Sequence, residues 1–552
     1  MPGLTDRRIG LLFLVFLAAL GVATLRAGWL GAVRAPALKR AAATQQVQTV
    51  ALPAPRGTIT DRNGAVLAIS EPASDVSATP YLIRAPLTVA EKLAPLLGLD
   101  ANAVLAKLSE RTGFVYLVRR LPAGRASKIA ALRIDGITLT PSSRRTYPRD
   151  WLAAQLIGDA SDVPGGGSGF EYGEDRVLRG QDGIRRVVSD ALGQPISIRD
   201  ERATVPGRDV QLTIDANLQD KVESVLDGVG QAYRPRGATA IVMDPQTNQI
   251  LALANWPRVD ANDPAGAPAY AQQDRAVGFT FEPGSTFKAI TVAGALEDHV
   301  VTPDTSIDVP YQLQVADRTL HDAEAHGDET LTVAQVLQQS SNIGAVRIAL
   351  MTGARRFSQW VSRFGFGQPT GVALPGEERG IVPTYAQYSG SSIANLPIGQ
   401  GEAVTPMQML AAYAAIANGG ILRTPQIIRS IDGRAVGMPA GRRVISPQTA
   451  SSVRDMLRGV LAAGGTASEA SIPGYDLAGK TGTAQKVDPD GQYSRTRYIA
   501  SFMGFAPASD PKLLVSVVVD EPHGAIYGGQ VAAPAFQKIV AFALPYLGIR
   551  PS

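Results

Sequence analysis

The segment 281–296 constrains the fold more strongly than any other stretch of this chain. Pro283 and Gly284 stand directly before an apolar run that is compatible with a helix, and neither residue is well tolerated inside one. This order predicts a helix that begins at Ser285. Lys288 follows three positions later, and residues spaced by three share a helix face, so the hydroxyl and the amine are expected to meet.

A serine and a lysine at this spacing can perform nucleophilic catalysis. The lysine accepts the hydroxyl proton only when its pKa is lowered, which burial or a neighbouring positive charge achieves. Backbone N–H groups at the helix start suit the anion that forms on an attacked carbonyl. The pattern Ser-x-x-Lys recurs at 509–512, but Pro511 forbids a regular helix there and predicts a turn between two strands. Ser285 and Lys288 are therefore the candidate nucleophile and base.

Composition excludes several other kinds of chemistry. The chain has 552 residues, which is too long for one ordinary hydrophobic core and predicts at least two domains. It has no cysteine, so disulfides, thiolate catalysis and cysteine-ligated metals are excluded. A net charge of +4 without a lysine- or arginine-rich run gives no support for nucleic-acid binding.

Histidine is scarce, with four residues in the whole chain. Two of them, His321 and His326, lie near Asp322 and Asp328 and could be read as a metal site. Their spacing fits no helical pair of metal ligands, so a polar, solvated loop is the preferred interpretation. We expect neither a metal nor a cofactor.

The N-terminal region predicts one membrane-spanning helix over residues 9–33, after a short tail of residues 1–8. Residues 9–25 form a run of seventeen without a charge, which is longer than the usual core of a signal peptide. The alternative is a cleaved signal peptide, with small residues at 35–37 as its cleavage site. Basic residues flank the span on both sides and leave the orientation open. The short tail favours a cytoplasmic N-terminus and an exported catalytic part. The helix would then span the cytoplasmic (inner) membrane once.

Residues 34–205 alternate strand-like runs, turn signals and helical patches. Asn63-Gly64 predicts a hairpin, the spacing at 86–97 and 101–108 predicts two helices, and 164–169 predicts a flexible glycine-rich loop. No catalytic constellation is found here. The segment is interpreted as an elongated α+β pedestal domain that acts as a spacer or docking module.

Residues 206–552 predict a second domain of the α/β (α+β) class. Strand-like runs occur near both of its ends, and helical patterns lie between and beside them. The predicted strands are 237–244, 249–254, 499–505 and 513–519, and the predicted flanking helices are 216–226 and 534–544. This distribution favours one antiparallel sheet built from both ends of the domain and covered by helices.

A second motif interrupts a helical stretch at 339–343. Ser340 and Asn342 lie two apart in this break, so their side chains can face the same way. The alternative interpretation is that Ser-Ser-Asn is an ordinary helix cap.

A third motif, Lys480-Thr481-Gly482-Thr483, lies in a segment that also matches a phosphate-binding loop. Such a loop requires a buried strand before it and a helix after it. The sequence before Gly474 is no strand, and the residues after Lys480 read as extended. A strand is therefore predicted, with Gly482 allowing another backbone or a ligand to approach closely.

Ser-x-x-Lys, Ser-x-Asn and Lys-Thr-Gly, in this order and in one domain, resemble the motifs of the penicillin-recognising serine transferases and hydrolases. Further segments make nearly the whole chain similar to a class B penicillin-binding protein: 56–64, 169–171, 212–215, 399–401, 405–406 and 527–529. The segment 480–486, and the lack of a further domain after about residue 548, look more like the FtsI-type division branch or the sporulation branch than the elongation branch.

The resemblance implies a peptidoglycan D,D-transpeptidase that cross-links D-Ala-D-Ala stem peptides through a serine acyl-enzyme and is inhibited by β-lactams. Ser285 would attack the penultimate D-alanine carbonyl, and neutral Lys288 would accept the hydroxyl proton. Ser340 would relay a proton to the leaving amine, and Asn342 would hold Lys288 and the substrate amide.

The third motif would bind the substrate by the same resemblance. Lys480, with Thr481, Gly482 and Thr483, would receive the terminal carboxylate. The backbone N–H groups of Ser285 and Thr483 would form the oxyanion hole. The partners implied are a SEDS-family (FtsW-like) glycan polymerase and other divisome membrane proteins, in septal cell-wall synthesis.

Three alternatives stay open. A D,D-carboxypeptidase shares the motifs and differs in the acceptor. A β-lactamase-like hydrolase shares them too, but the Glu-x-x-Leu-Asn motif of class A enzymes does not occur between Ser340 and Lys480. A non-catalytic divisome scaffold is the alternative of another class, and the intact serine and lysines argue against it.

Overall fold

The computed structural model describes residues 3–34, 47–161, 167–189 and 195–551. These residues form two compact units, and neither unit is one continuous stretch of chain. The first unit comprises the described parts of Met1–Pro55, Glu71–Arg144 and Gly180–Gly207, and the second those of Arg56–Ser70, Arg145–Arg179 and Arg208–Ser552. The two domains expected at 34–205 and 206–552 stay predictions, because these ranges describe continuous segments whereas each compact unit combines several segments.

The N-terminal segment is a single helix, Gly3–Ala32. Its part Ile9–Ala32 has 24 residues and a mean hydropathy of 2.3, so it is long and apolar enough to cross a membrane. This agrees in length and composition with the span predicted at 9–33. The candidate cleavage site at 35–37 lies outside the described residues.

The rest of the first unit contains a three-stranded antiparallel sheet and a small α+β core. The sheet orders its strands Val47–Leu52, Gly183–Ser189 and Pro195–Arg202. In the α+β core, three helices pack against strands, which are Val66–Ala78, Val115–Pro122 and the start of Ile137–Thr146. The core residues include Val76, Leu93, Val104 and Leu117. The helices are Pro86–Leu97, Ala101–Leu108 and Ala123–Ala131. The first two match the predicted ranges, whereas half of the loop predicted at 164–169, residues 164–166, lies outside the described residues.

The second unit is organised around a five-stranded antiparallel sheet. Its order is Gln249–Trp256, Gly237–Asp244, Leu513–Asp520, Tyr493–Ala506 and Ala478–Val487. All eight residues of the central strand Leu513–Asp520 are buried, which explains why this strand is almost continuously apolar. The prediction of an antiparallel sheet assembled from both ends of the domain is confirmed.

Helices cover this sheet. Ala216–Tyr233 and Gly528–Tyr546 pack on the strands and against each other, and both are longer than predicted. Pro406–Ala417 is apolar on all sides, and each of its twelve residues is buried. The helix Lys288–Glu297 is buried over nine of its residues, from Lys288 to Leu296. The nucleophile candidate therefore precedes a helix that is held on every side by the core.

The remaining elements of the second unit connect these layers. Its other helices are Ala154–Ile157, Gly169–Gly173, Asp175–Leu178, Ala269–Gln272, Arg275–Gly278, Val333–Gln339, Asn342–Thr352, Ala354–Arg363, Ser392–Asn395 and Pro447–Arg458. Its other strands are Ile59–Thr60, Val210–Leu212, Ser306–Val309, Leu313–Val315, Arg318–Leu320, Glu329–Thr332, Ile421–Arg423, Ile428–Ile431, Arg434–Ala435 and Gly441–Arg443. Two long strands, Val66–Ala78 and Ile137–Thr146, begin in one unit and end in the other. The hairpin predicted at Asn63-Gly64 is present, because Ile59–Thr60 pairs antiparallel with the start of Val66–Ala78.

Candidate active site

Ser285 lies in a short 3₁₀ turn, Gly284–Phe287, and the α-helix begins at Lys288. The prediction that the helix begins at Ser285 is therefore wrong in its detail. Gly284 has a φ of +55°, a left-handed conformation that is incompatible with regular α-helix and tightens the chain before the helix starts. Ser285 itself is only partly buried, whereas its neighbours Gly284 and Thr286 are buried.

Two distant residues hold this turn in place. Gly284 donates its N–H to the carbonyl of Gly399 over 3.0 Å, and a Cβ on Gly399 would lie 2.3 Å from the Gly284 oxygen. The phenol of the fully buried Tyr413 donates to the Thr286 carbonyl over 2.7 Å. The turn that carries Ser285 is thus fixed by contacts more than a hundred residues away in the chain.

The amine of Lys288 is completely buried and binds the second motif. Its Nζ donates to the Ser340 carbonyl at 2.5 Å, to Ser340 Oγ at 3.3 Å and to Asn342 Oδ1 at 2.7 Å. Among the described residues, no hydrogen bond joins this amine to Ser285 Oγ. The contact between Lys288 and Asn342 is the one that the resemblance implied, and the structure adds the contacts with Ser340.

The break that carries the second motif serves as a helix cap and as part of the site. The helix Val333–Gln339 ends at Ser340, whose φ of +63° turns the chain sharply. Ser341 caps the next helix, because its hydroxyl accepts from the Gly344 N–H over 2.9 Å. Both interpretations of Ser-Ser-Asn are therefore correct, since the capping residue is the one between the two that face Lys288.

The third motif lies on the edge strand Ala478–Val487 of the central sheet, which is the strand predicted from the sequence. Lys480 lies within this strand, which continues to Val487, so no helix begins directly after it and the phosphate-loop alternative is wrong. A Cβ on Gly482 would lie 2.3 Å from Ser501 Oγ and 2.9 Å from Thr286 Cγ2. Glycine is needed here because the turn that carries Ser285 packs directly against this strand.

The hydroxyl groups of the third motif are held by Thr466, which the sequence did not indicate, and by Gly528, which lies in the segment 527–529 noted for its resemblance. Thr481 Oγ1 lies 2.8 Å from Thr466 Oγ1, and Thr483 Oγ1 accepts from the Gly528 N–H over 3.0 Å. Lys480 is completely buried, and its amine makes long contacts with the carbonyl and the hydroxyl of Thr481, at 3.3 and 3.4 Å. Thr483 is partly buried, and it can still meet a ligand.

Burial shifts both lysines toward their neutral forms. It lowers the pKa of Lys288 to about 7, against the opposing effect of the Asp322 carboxylate. Burial also lowers the pKa of Lys480 far below its usual range, and the positive charge of Lys288 adds to this effect. Two buried amines that repel each other do not both stay charged, so one of them can act as a base near neutral pH.

The second copy of Ser-x-x-Lys shows why the pattern alone is insufficient. Ser509 and Lys512 are exposed in the turn between Tyr493–Ala506 and Leu513–Asp520, as predicted. The Lys512 amine pairs with Asp510 at 2.9 Å in an exposed contact. This lysine lacks the enclosure that makes Lys288 a candidate base.

In the described part of the chain, no group of three or more metal-ligating side chains occurs, and the loop with His321 and His326 forms none. Instead, Asp322 from this loop accepts hydrogen bonds from the second motif. The interpretation of this segment as a solvated loop does not predict this contact of Asp322. The only sequence signal was an acidic residue about twenty positions before the motif.

Comparison with known families agrees with this geometry. The family described as the penicillin binding protein transpeptidase domain matches residues 238–541. The penicillin-binding protein dimerisation domain matches residues 51–212. The first match contains the three motifs, and the second covers most of the segment interpreted as a pedestal.

Individual proteins match over nearly the whole chain. Penicillin-binding protein PbpB of Mycolicibacterium smegmatis is 35% identical over 576 residues, covering 96% of this chain and 89% of that protein. Peptidoglycan D,D-transpeptidase FtsI of Escherichia coli is 33% identical over 553 residues, covering 99% and 92%. The crystal structure of penicillin-binding protein 3 from Mycobacterium tuberculosis, complexed with aztreonam, matches with a TM-score of 0.72 and 30% identity, covering 91% and 98%. This chain therefore belongs to the penicillin-binding proteins, as a class B member of the FtsI type.

Proposed function

We propose that this protein is a β-lactam-sensitive peptidoglycan D,D-transpeptidase in which Ser285 forms the acyl-enzyme. The observation that carries the proposal is the buried amine of Lys288, which binds Ser340 and Asn342 and directly follows the turn that carries the partly buried Ser285. The edge strand with Lys480 packs against the same turn. The family match and the named D,D-transpeptidase relatives support the same function.

Acylation follows from this arrangement. Ser285 Oγ attacks the carbonyl carbon of the penultimate D-alanine while neutral Lys288 takes the hydroxyl proton. The tetrahedral oxyanion is stabilised by the backbone N–H groups of Ser285 and Thr483. When the C–N bond breaks, the proton passes from Lys288 through Ser340 Oγ to the leaving amine. The products are a Ser285 ester and free D-alanine.

The terminal carboxylate of the stem peptide binds at the third motif. Thr483 presents its hydroxyl at the edge strand, Thr481 and the side-chain-free Gly482 shape the strand beside it, and buried Lys480 supplies positive potential. A bound carboxylate raises the pKa of Lys480 and holds the shared charge there. Lys288 is then the neutral amine of the pair, which is the form that the base requires.

The ester is resolved by an amine from a neighbouring stem peptide. The amine attacks the ester carbonyl, Lys288 accepts its proton, and Ser285 Oγ recovers a proton as the amide cross-link forms. With water as the acceptor, the same site would act as a D,D-carboxypeptidase. The relatives named as transpeptidases favour the amine acceptor.

The apolar helix Ile9–Ala32 and the FtsI-type relatives fit a single-pass membrane protein. We propose that its N-terminus lies in the cytoplasm and that the catalytic unit lies outside the cytoplasmic membrane, where peptidoglycan is assembled. The proposed domains are 34–205, the pedestal, and 206–552, the transpeptidase. The proposed partners are a SEDS-family polymerase and other divisome membrane proteins, with septal synthesis as the setting.

The assignment of the nucleophile is tested with a fluorescent penicillin on the full chain in detergent. Wild type should carry one covalent label, located by peptide mass spectrometry on Ser285, and Ser285→Ala should carry none. Ser509→Ala is the matched control and should label like wild type. Label that survives Ser285→Ala would overturn the assignment.

The acceptor is tested separately with lipid-linked substrate and a partner polymerase. A transpeptidase should produce cross-linked muropeptides together with one free D-alanine for each link. Release of D-alanine without cross-links would identify a carboxypeptidase instead.

A further inference from the structure

Asp322 ties the second motif together from outside it. Its Oδ1 accepts from the backbone N–H groups of Asn342 and Ile343, the latter over 3.0 Å. Its Oδ2 accepts from Ser341 Oγ over 2.7 Å and lies 3.2 Å from His326 Nε2. The side chain of Asp322 is only 9% exposed, so these contacts replace most of its hydration.

The contacts of Asp322 continue to the candidate base in one further step. The three residues that it binds are the cap Ser341 and the first two residues of the helix Asn342–Thr352, directly after Ser340, and Ser340 and Asn342 accept from Lys288 Nζ. The neighbouring residue, His321, contributes its carbonyl, which accepts from Asn342 Nδ2 over 3.0 Å. This second contact leaves Asn342 Oδ1 free to face the amine. The chain before the motif therefore sets both the position of the loop and the orientation of the amide.

The carboxylate also acts on Lys288 through its charge. Burial lowers the pKa of Lys288 to about 7, and the negative charge of Asp322 acts in the opposite direction. Without that charge the pKa of Lys288 would be lower still. Asp322 thus affects how the candidate base is held and the pH at which it loses its proton.

We propose that Asp322 is a positioning residue for catalysis, which orients Ser340 and Asn342 toward Lys288 and contributes a negative charge to the site of the base. The inference deepens the proposed function and rests on its assignment of Ser285 and Lys288. Asp322 does not touch the reacting atoms in this assignment. It acts through the loop and through its charge.

Among the described residues, the charged groups near Asp322 are His326, Glu329 and Lys288. His326 lies between the Gly327 carbonyl, at 2.6 Å from Nδ1, and Asp322, and its pKa is raised, first by the Gly327 contact and then by Asp322 against partial desolvation. Glu329 approaches the same ring at 3.6 Å. On the side of the active site, the amine of Lys288 is the charged group that responds to Asp322. A change of charge at Asp322 should therefore be read in the titration of Lys288, with His326→Gln as the background that removes the other titrating partner.

Asp322→Asn separates the effect of charge from the effect of position. Oδ1 of asparagine can still accept from the Asn342 and Ile343 N–H groups, and Nδ2 can donate to Ser341 Oγ, so the loop keeps its geometry. We measure the rate of acylation by fluorescent penicillin against pH on the full chain in detergent. Wild type should rise to a plateau with a midpoint near the pKa of Lys288, about 7. Asp322→Asn should move the midpoint to lower pH by on the order of one unit. The same shift is expected when Asp322→Asn is introduced into the His326→Gln variant and compared with that variant.

Asp322→Ala tests the effect of position. The loop loses its acceptor, so the plateau rate should fall roughly 10- to 100-fold, the loss typical of residues that orient a functional group from behind. Asp317→Asn is the matched control, because this exposed aspartate precedes the strand Arg318–Leu320 and its removal changes the charge equally. It should reproduce the wild-type profile in midpoint and plateau.

The outcomes separate this inference from the proposed function. If Ser285→Ala still labels, the assignment of the nucleophile fails and the inference falls with it. If Ser285→Ala is silent but the Asp322→Asn midpoint stays at the wild-type pH, or moves upward, the inference alone is overturned. A wild-type plateau in Asp322→Ala also overturns it. Should Asp322→Ala fail to fold by thermal unfolding, Asp322→Asn still decides the question.

Discussion

Two pairs of like-charged side chains in the second unit differ in how their polar atoms are partnered: Lys288 with Lys480, both fully buried, and buried Glu402 with partly buried Glu282. Lys288 and Lys480 are completely enclosed, and the Lys288 amine has three close acceptors. Glu402 is only 2% exposed, and neither of its carboxyl oxygens has a hydrogen-bond partner among the described residues. Its neighbour in charge, Glu282, binds Gly401 N–H and the Tyr493 hydroxyl through one oxygen only.

Burial alone does not give an ionisable side chain a catalytic role. Burial lowers the pKa of Lys288 and raises the pKa of Glu402, so each residue is driven toward its neutral form. Only the lysine has oriented partners and a nucleophile on the adjoining turn. The amine is therefore available for proton transfer, whereas the unpartnered carboxyl chiefly lowers the stability of the fold.

The largest effect is expected from Lys288→Met. The side chain keeps its length but loses the base, so acylation by penicillin should slow by roughly 10²- to 10⁴-fold. The Ser340 carbonyl and Asn342 Oδ1 lose their donor, and the free energy of unfolding should fall by about 1–3 kcal/mol. Stopped-flow labelling and thermal unfolding measure the two effects, with Lys512→Met as the control. A fast Lys288→Met enzyme would show that another group is the base.

An intermediate effect is expected from Lys480→Met. In the complex with a carboxylate-bearing substrate it removes the positive charge that the carboxylate holds on Lys480, so in that complex the pKa of Lys288 should rise and the pH profile of kcat should move to higher pH. It also removes the potential that receives the carboxylate, so KM for a stem-peptide substrate should increase more than kcat decreases. Steady-state kinetics from pH 6 to pH 9 measure both changes. A profile that moves to lower pH would contradict the coupling of the two amines.

The smallest effect on acylation, and the opposite effect on stability, is expected from Glu402→Gln. The folded-state pKa of Glu402 lies well above its usual value near 4.5, so its protonated form is favoured by folding. That contribution is fully present below the unfolded pKa and is lost as the pH rises through the folded one, by up to about 1.4 kcal/mol per pH unit. Glutamine cannot ionise. The variant should resemble wild type at pH 5 and be more stable at pH 8.

Thermal unfolding at the two pH values measures this difference, with the exposed Glu324→Gln as the matched control. The control should show no gain in stability between pH 5 and pH 8. An equal gain for Glu402→Gln at both pH values would mean that its carboxyl does not ionise in this range.

Much of the local structure was predictable because the determining signals are close together in the chain. The break between Val333–Gln339 and Asn342–Thr352 follows from Ser-Ser-Asn, which cannot continue a helix as well as its neighbours can. The strand at Lys480 follows from the absence of any helix signal after it. Pro511 identified the second Ser-x-x-Lys copy as a turn. Each of these decisions needed only a few adjacent residues.

Other features could not be predicted because they depend on contacts between distant segments. The 3₁₀ turn at Ser285 is set by Gly284 against Gly399, which is over a hundred residues away. Thr466 and Gly528 hold the hydroxyls of the third motif, and neither residue type signals such a role. The enclosure of Glu402 likewise results from packing around the segment 399–404. A sequence pattern does not report which side chains the core will enclose.

The sequence by itself determined where the three motifs lie, which of the two Ser-x-x-Lys copies precedes a helix, and that the Lys-Thr-Gly segment is extended. Backbone preferences decide these features, and they act over a few residues. Only the tertiary structure decided that Lys288 contacts Ser340 and Asn342 and that Asp322 accepts hydrogen bonds from the second motif. It also decided that the amines of Lys288 and Lys480 are both fully buried. Those properties depend on the removal of water and on the distances between charges, which exist only after the chain has folded.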